Sequence, residues 1–351
     1  MESIFENNKV EEFKGLLLAS KHVVITTHHK PDADALGSSV GLHLLLMANG
    51  IRSTIVTPSD FPDFLDWMET DDMPKVEQYD EKKNAQHPKQ LIEEADLILC
   101  LDFSNLGRLT KIEKIVEASK AKRVVIDHHL EPNMMSDLSF WDTKAAATAE
   151  LIYLLAVACG WQKDLKGKVL EVLYAGIMTD TGSFRHPSTS ARVHQIAADM
   201  IGLGLDNSKV HRLIYDNNSI SRLKFLGFCL SEKLIILPDL HTAYISISKE
   251  ELERYQIETG DTEGVVNYAL SLKGIVMAAI IIDRTEAVKL SFRSLGNFSV
   301  NDFSKRHFSG GGHKNASGGI SDKTLHQTVS HFLEMLPQHK LQLEQTFQDT
   351  V

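Results

Sequence analysis

Long hydrophobic runs are missing from this chain. Its most apolar stretches, such as IVMAAIII at Ile275–Ile282, fall far short of the ~20 residues a bilayer-spanning helix needs, so no membrane partner is expected. Cysteine is scarce as well. Cys100, Cys159 and Cys229 are the only three, none in a CxxC pair, which gives no disulfide framework and fits reduced thiols in the cytoplasm. The opening residues, MESIFENNKVEEFKG, lack a basic segment followed by an apolar one, so no signal peptide is expected. Positive charge is short too: 37 Lys and Arg stand against 47 Asp and Glu, a net charge of -10. A long nucleic-acid duplex usually demands a basic face and is excluded as the main partner. A short anionic ligand in a locally positive cleft is not. Internal repeats and low-complexity tracts are also absent.

What is present reads as an ordinary globular α/β chain. At 351 residues it is long for a single hydrophobic core, so two domains are expected. HVVITT (22–27) reads as a buried strand, followed by Leu36, Val40, Leu44 and Met47 at helical spacing up to Gly50. IRSTIVT, LILCLDF and RVVIDHH read as further strands, with KIEKIVEASK as a surface helix between the last two. Strands alternating with helices imply βαβ units and a parallel sheet. Helical patterns follow at TAELIYLLAVACG, VLEVLYAGIM and TSARVHQIAADMIGLG. Past Gly204 the texture changes: a polar, helical stretch over 206–232 reads as a linker, and KLIILP, HTAYISIS, GIVMAAIIID and AVKLSFRS read as strands of a smaller α/β domain. The expected division is 1–205, a linker 206–232, and 233–351, with the active site in the interdomain cleft.

The acids are not scattered. In an open parallel sheet, ligands bind beyond the carboxyl ends of the strands. The first strand runs into ITTHHKPDADALGSS, carrying His28, Asp32 and Asp34; LILCL ends on Asp102; RVVI ends on Asp127, His128 and His129; and Asp180 follows an apolar helix. A lone Asp after a strand is ordinarily a turn residue or helix cap, and a lone histidine is ordinarily structural. Several acids with two or more histidines on one sheet edge are different, because such carboxylates repel unless cations neutralise them. Oxygen-rich ligands with one or two imidazoles suit Mn²⁺ or Mg²⁺ better than zinc. The acids outnumber what one octahedral ion takes from protein, which points to two ions sharing a bridging carboxylate.

The run from His28 to Ser38, the isolated Asp102, the Asp127-His128-His129 triplet and Asp180 resemble the four motifs of the DHH phosphoesterase family. SFRS (291–294) and GGGHKNASGG (310–319) are similar to its DHH-associated C-terminal domain. The two-domain layout, without an OB-fold or a membrane-anchored sensor module, is most similar to the family's branch of nanoRNases and 3'-phosphoadenosine 5'-phosphate (pAp) phosphatases.

The resemblance implies two Mn²⁺ per subunit, with Mg²⁺ or other divalent ions as substitutes. One ion would take His28 and Asp32, the other Asp34, His128 and Asp180, and Asp102 would bridge them. His129 would face the substrate phosphate, and Asp127 would support the histidines from behind. His29 is read as a non-ligand. In the second half, Gly310, Gly311 and Gly312 allow backbone N–H groups to approach an anion, and Arg293 can fork onto a phosphate. Arg293, His313 and Asn315 are expected to hold the far end of the substrate; Arg185 reads equally as a phosphate contact or an ion pair. The expected function is hydrolysis of short RNA oligonucleotides and pAp, and a homodimer is compatible with it. The alternatives are a linear or cyclic dinucleotide phosphodiesterase, a pyrophosphatase or polyphosphatase, and a catalytically silent nucleotide-binding regulator. The glycine-rich C-terminal signature disfavours pyrophosphate.

Overall fold

A computed structural model describes residues 4–69, 75–103, 105–130, 133, 136–258, 260–284 and 286–350. Met134 and Met135, read from the sequence as structural or surface residues, lie outside the described residues. The chain divides into two compact units, Met1–Asn217 and Asn218–Val351.

The first unit is built on a six-stranded parallel sheet: β1 (Val23–Thr26), β2 (Ser53–Thr57), β3 (Glu77–Gln78), β4 (Leu97–Leu101), β5 (Lys122–Asp127) and β6 (Leu138–Trp141), in the order β3-β2-β1-β4-β5-β6. Every neighbouring pair is parallel, with Val23 facing both Ser53 and Leu97. β1 and β4 are buried along their whole lengths, as the continuous apolar runs VVIT and LILCL require of central strands. The short edge strands β3 (EQ) and β6 (LSFW) are not among the strands read from the sequence. β6 alternates buried and exposed residues. The chain order reverses between β1 and β4, which makes their carboxyl ends the switch point of the sheet.

Three helices cover one another beside that point. The helix Ala33–Ala48 starts at Asp32, whose carboxylate caps it by accepting from the Asp34 and Ala35 amides at 3.0 Å each. It packs most extensively on the helix Lys168–Asp180 and also on the helix Thr148–Ala158. The spacing of Leu36, Val40, Leu44 and Met47 suggests one apolar stripe, but the structure buries Leu36 and Val40, half-buries Leu44 and exposes Met47. The reason is that this helix is enclosed on several sides, so that Ala33 to His43 are all buried. Gly37 sits where a Cβ would strike the Val172 backbone carbonyl, so glycine is required for the two helices to come this close.

His43, on the same helix, is 1% exposed, and its Nδ1 lies 2.8 Å from Ser53 Oγ. Burial pushes its imidazole down to about 4. Between pH ~6.5 and ~4 the unfolded chain therefore binds a proton that the native chain does not, and stability falls as pH falls through that window. His43 is expected to account for roughly 3 kcal/mol of this loss. Urea unfolding at a series of pH values should show a shallower pH slope in His43→Leu than in the parent, and equal slopes would refute the assignment.

The second unit carries β7 (Leu234–Leu237), β8 (Thr242–Ile247), β9 (Met277–Asp283), β10 (Val288–Ser294), β11 (Gly311–His313) and β12 (Ala316–Ser321), in the order β11-β12-β10-β9-β8-β7. Only β8 and β9 run parallel; the rest of this sheet is antiparallel. The stretch 206–232 holds two α-helices, Asn207–Tyr215 and Ile220–Phe228, the second running into a π-helical turn at Cys229–Lys233. Val210 and Ile214 of the first enter the core of the first unit, and Phe225, Phe228 and Cys229 enter a core of the second.

Candidate metal centre

The switch point gathers the acids. β1 leads into His28, and Asp32 and Asp34 follow at the start of the helix Ala33–Ala48. β4 ends at Leu101, and Asp102 turns the chain with φ of +64°, its amide donating to the Ile126 carbonyl of β5 at 3.1 Å. Asp and Asn tolerate this left-handed conformation better than other side chains. β5 ends on Asp127 and delivers His128 and His129, while Asp180 is the last residue of the helix Lys168–Asp180.

These groups form two triads. His28, Asp32 and Asp102 offer ligand atoms within 4.8 Å of one another, and so do Asp34, His128 and Asp180. Asp102 joins them: its Oδ2 lies 3.4 Å from His28 Nε2 and its Oδ1 3.4 Å from His128 Nε2. His128 Nε2 is also 3.5 Å from Asp180 Oδ2 and 3.7 Å from Asp34 Oδ2. Asp127 binds His129, at 2.8 Å between Oδ1 and Nδ1, and the Ala145 carbonyl lies 3.2 Å from His128 Nδ1. His29 belongs to neither triad.

The electrostatics are those of a site built for cations. Burial, then the neighbouring carboxylates, hold Asp34 and Asp180 well above the ordinary carboxylate range. Burial would lower His128 and raise Asp102, but their mutual hydrogen bonding and charge prevail, leaving His128 well above and Asp102 well below their usual values. In His28, too, burial is outweighed by Asp102 and Asp32, and the ring is raised. The histidine tautomers test the fit. His28 Nδ1 meets the His29 carbonyl at 3.0 Å and His128 Nδ1 meets that of Ala145, so each Nδ1 donates and each Nε2 is left facing carboxylates. Facing anions, each Nε2 holds either a proton, which is why both rings are raised, or a cation that displaces it, and a carbonyl behind the ring is the usual support of a metal-binding histidine. The donor set therefore fits divalent ions.

Sequence reasoning missed the residues that hold these ligands in place. Both oxygens of Asp34 accept backbone N–H groups at the start of the helix Thr148–Ala158, from Thr148 at 2.6 Å and from Ala149 at 2.8 Å. Thr148 Oγ1 donates to Asp102 Oδ1 at 2.9 Å. A Cβ at Gly176 would lie 2.7 Å from Asp34 Oδ1, so that glycine makes room for the carboxylate. Only the run of small residues in AAATAE hinted at such close packing.

In the second unit the glycine-rich segment is a β-hairpin, with Gly311 opposite Gly318 and His313 opposite Ala316. Cβ atoms at Gly310 and Gly312 would collide with backbone of β12, whereas Gly311 faces open space. Asn315 Nδ2 donates to Ser294 Oγ at 2.9 Å and to the carbonyls of Gly296 and Phe298, which ties the hairpin to the end of β10. Arg293 Nη1 donates to the Phe292 carbonyl at 2.9 Å. Arg185, in the first unit, is exposed and donates from Nε to the Gly182 carbonyl at 2.7 Å.

A doubly wound sheet with carboxylates and imidazoles converging at its switch point defines an α/β protein of the divalent-metal class. Comparison with known proteins narrows this. Residues 22–177 match the DHH family, N-terminal domain, and residues 240–338 match the DHHA1 domain. A crystal structure of an exopolyphosphatase-related protein from Bacteroides fragilis is 33% identical, covers 98% of this chain and 100% of its own, and superposes with a TM-score of 0.91. The chain belongs to the DHH family. It is 26% identical over 318 residues to the probable bifunctional oligoribonuclease and PAP phosphatase NrnA of Streptococcus mutans, covering 89% of this chain and 95% of that one. To the bifunctional oligoribonuclease and PAP phosphatase NrnA of Bacillus subtilis it is 28% identical over 302 residues, covering 84% and 88%. Among the described residues no helix is long and apolar enough to cross a membrane.

Proposed function

We propose that this protein is a metal-dependent phosphoesterase that hydrolyses short RNA oligonucleotides and pAp. The observation that carries the reading is the pair of triads joined through Asp102, and the names of the curated relatives support the substrate class. His28 and Asp32 would hold one Mn²⁺, Asp34, His128 and Asp180 the other, and Asp102 both; Mg²⁺ competes for so oxygen-rich a set. When bound, such ions supply electrophilic stabilisation of phosphoryl oxygens and acidify water.

The chain's own part is orientation and proton transfer. Asp127 fixes the His129 ring through Nδ1, and the role assigned to that ring is to stabilise or protonate the departing oxygen. Arg293, His313, Asn315, the glycines 310–312 and Arg185 are the candidates for contacting the rest of the substrate. The net charge of -10 favours a mononucleotide or short oligomer over a long duplex. The three cysteines are buried, and burial pushes each thiol up to about 12. That fits a reducing, cytoplasmic setting, where a homodimer is the assembly to test.

The test is a Mn²⁺ assay on pAp, a dinucleotide, a five-mer, a cyclic dinucleotide, pyrophosphate and polyphosphate. The highest kcat/KM values are expected for pAp and the short linear RNAs. A preference for the cyclic dinucleotide or for either inorganic substrate would replace this reading, and no turnover of any of them would end it.

A further inference from the structure

We infer that Arg192 is a positioning residue for the metal centre, acting through the segment 142–150. This rests on the proposed two-metal reading. Four contacts from that short segment reach three of the candidate ligands. The Ala145 carbonyl faces His128 Nδ1, Thr148 Oγ1 donates to Asp102, and the amides of Thr148 and Ala149 hold the two oxygens of Asp34. What fixes the segment is therefore what fixes the ligands.

Two carboxylates and one guanidinium fix it. Glu150 is fully buried; its Oε2 accepts from the Ala146 amide at 2.7 Å, which closes the turn ahead of the helix Thr148–Ala158. Its Oε1 accepts from Arg192 Nε at 2.5 Å. Arg192 Nη2 reaches Asp142 Oδ2 at 3.3 Å, and Asp142 Oδ1 caps the Lys144 amide at 2.9 Å. The Asp142 backbone in turn is anchored, its amide donating to the Asp127 carbonyl at 3.2 Å. One guanidinium thus spans both ends of the stretch that supports His128, Asp102 and Asp34, from the first turn of the helix Ala191–Gly202. A rigid fork with several donors suits this bridging; a lysine supplies a single point charge and one end of it.

The effect is expected in metal affinity, because supporting partners of metal ligands typically govern affinity by ~10–100-fold. Mn²⁺ binding to the full chain is measured by isothermal titration calorimetry for wild type, Arg192→Met, Arg192→Lys and Asp142→Asn, alongside thermal unfolding of each without Mn²⁺. Arg192→Met should weaken Mn²⁺ binding by about 10-fold or more, with Arg192→Lys recovering part of the loss and Asp142→Asn lying between. A lowered melting temperature with wild-type Mn²⁺ affinity in Arg192→Met would show a purely structural role and overturn the inference. Should that variant not fold, unchanged affinity in Asp142→Asn would overturn it equally. Failure of the wild type itself to bind Mn²⁺ is the distinguishable outcome that removes the two-metal reading and this inference with it.

Discussion

Asp102→Asn is expected to lower Mn²⁺-dependent hydrolysis of a dinucleotide on the order of 1,000-fold while leaving the protein folded. Among the described residues, Asp102 is the one carboxylate within 3.4 Å of histidines in both triads. Removing its charge therefore takes a shared partner from the whole centre. Asparagine preserves what the fold needs at this position. It tolerates the φ of +64° and keeps an oxygen for the Thr148 hydroxyl. The charge loss is locally compensated, because His28 and His128 can shed the protons that Asp102 favours and its repulsion of Asp34 and Asp180 disappears. Thermal stability should change by no more than about 1–2 kcal/mol. Asp102→Ala should be less stable than Asp102→Asn, since alanine bears the left-handed backbone cost of about 1–2 kcal/mol. Parallel measurements of kcat and melting temperature check this; turnover within tenfold of wild type in Asp102→Asn would remove Asp102 from the centre.

Gly176→Ala is expected to have the next largest effect, although Gly176 has no chemistry of its own. The added methyl would lie 2.7 Å from Asp34 Oδ1, 2.8 Å from Ala149 Cβ and 3.1 Å from Asp34 Cα. None of these is the loose end of a flexible side chain: Asp34 is held by two amides, and Ala149 Cβ is fixed to its backbone. The helix Lys168–Asp180 must then shift, carrying Asp180 away from His128. Overpacking of this kind costs about 1–3 kcal/mol, and displacement of a ligand by ~1 Å can cost on the order of 100-fold in kcat. Gly15→Ala is the control. It lies inside the helix Asn7–Ala19 with open space around its Cβ position, so it should raise stability by up to about 1 kcal/mol without touching turnover. Wild-type kcat in Gly176→Ala would mean that Asp34 and Asp180 need no fixed separation.

The legible part of the site was the part encoded locally. His28, Asp102 and the 127–129 triplet follow apolar β-branched runs, and alternating strands and helices align those runs in parallel, so a shared sheet edge follows from the order of elements along the chain. The glycine-rich segment reads in the sequence as backbone open to an anion, with no sign of what each glycine packs against. In the structure Gly310 and Gly312 make room for the backbone of β12, and Gly311 alone of the three faces open space. The Leu44–Met47 end of the second helix misled for a related reason: periodicity identifies a helix, but how many sides of it are covered depends on elements far along the chain. β3 was missed because two residues offer too little pattern, and β6 because its four residues alternate buried and exposed and lack the β-branched run that marks β1.

The sequence by itself determined a parallel-sheet α/β domain, a second smaller sheet domain, and a cluster of acids and imidazoles at the strand ends. It could do so because strand and helix periodicities and turn positions are properties of neighbouring residues. Only the tertiary structure decided how those ligands are held: Asp34 by amides 114 and 115 positions away, His128 by Ala145, and Asp142 with Glu150 by Arg192. Most of those contacts join residues far apart in the chain through backbone groups, and a backbone amide or carbonyl has no identity that a sequence can display.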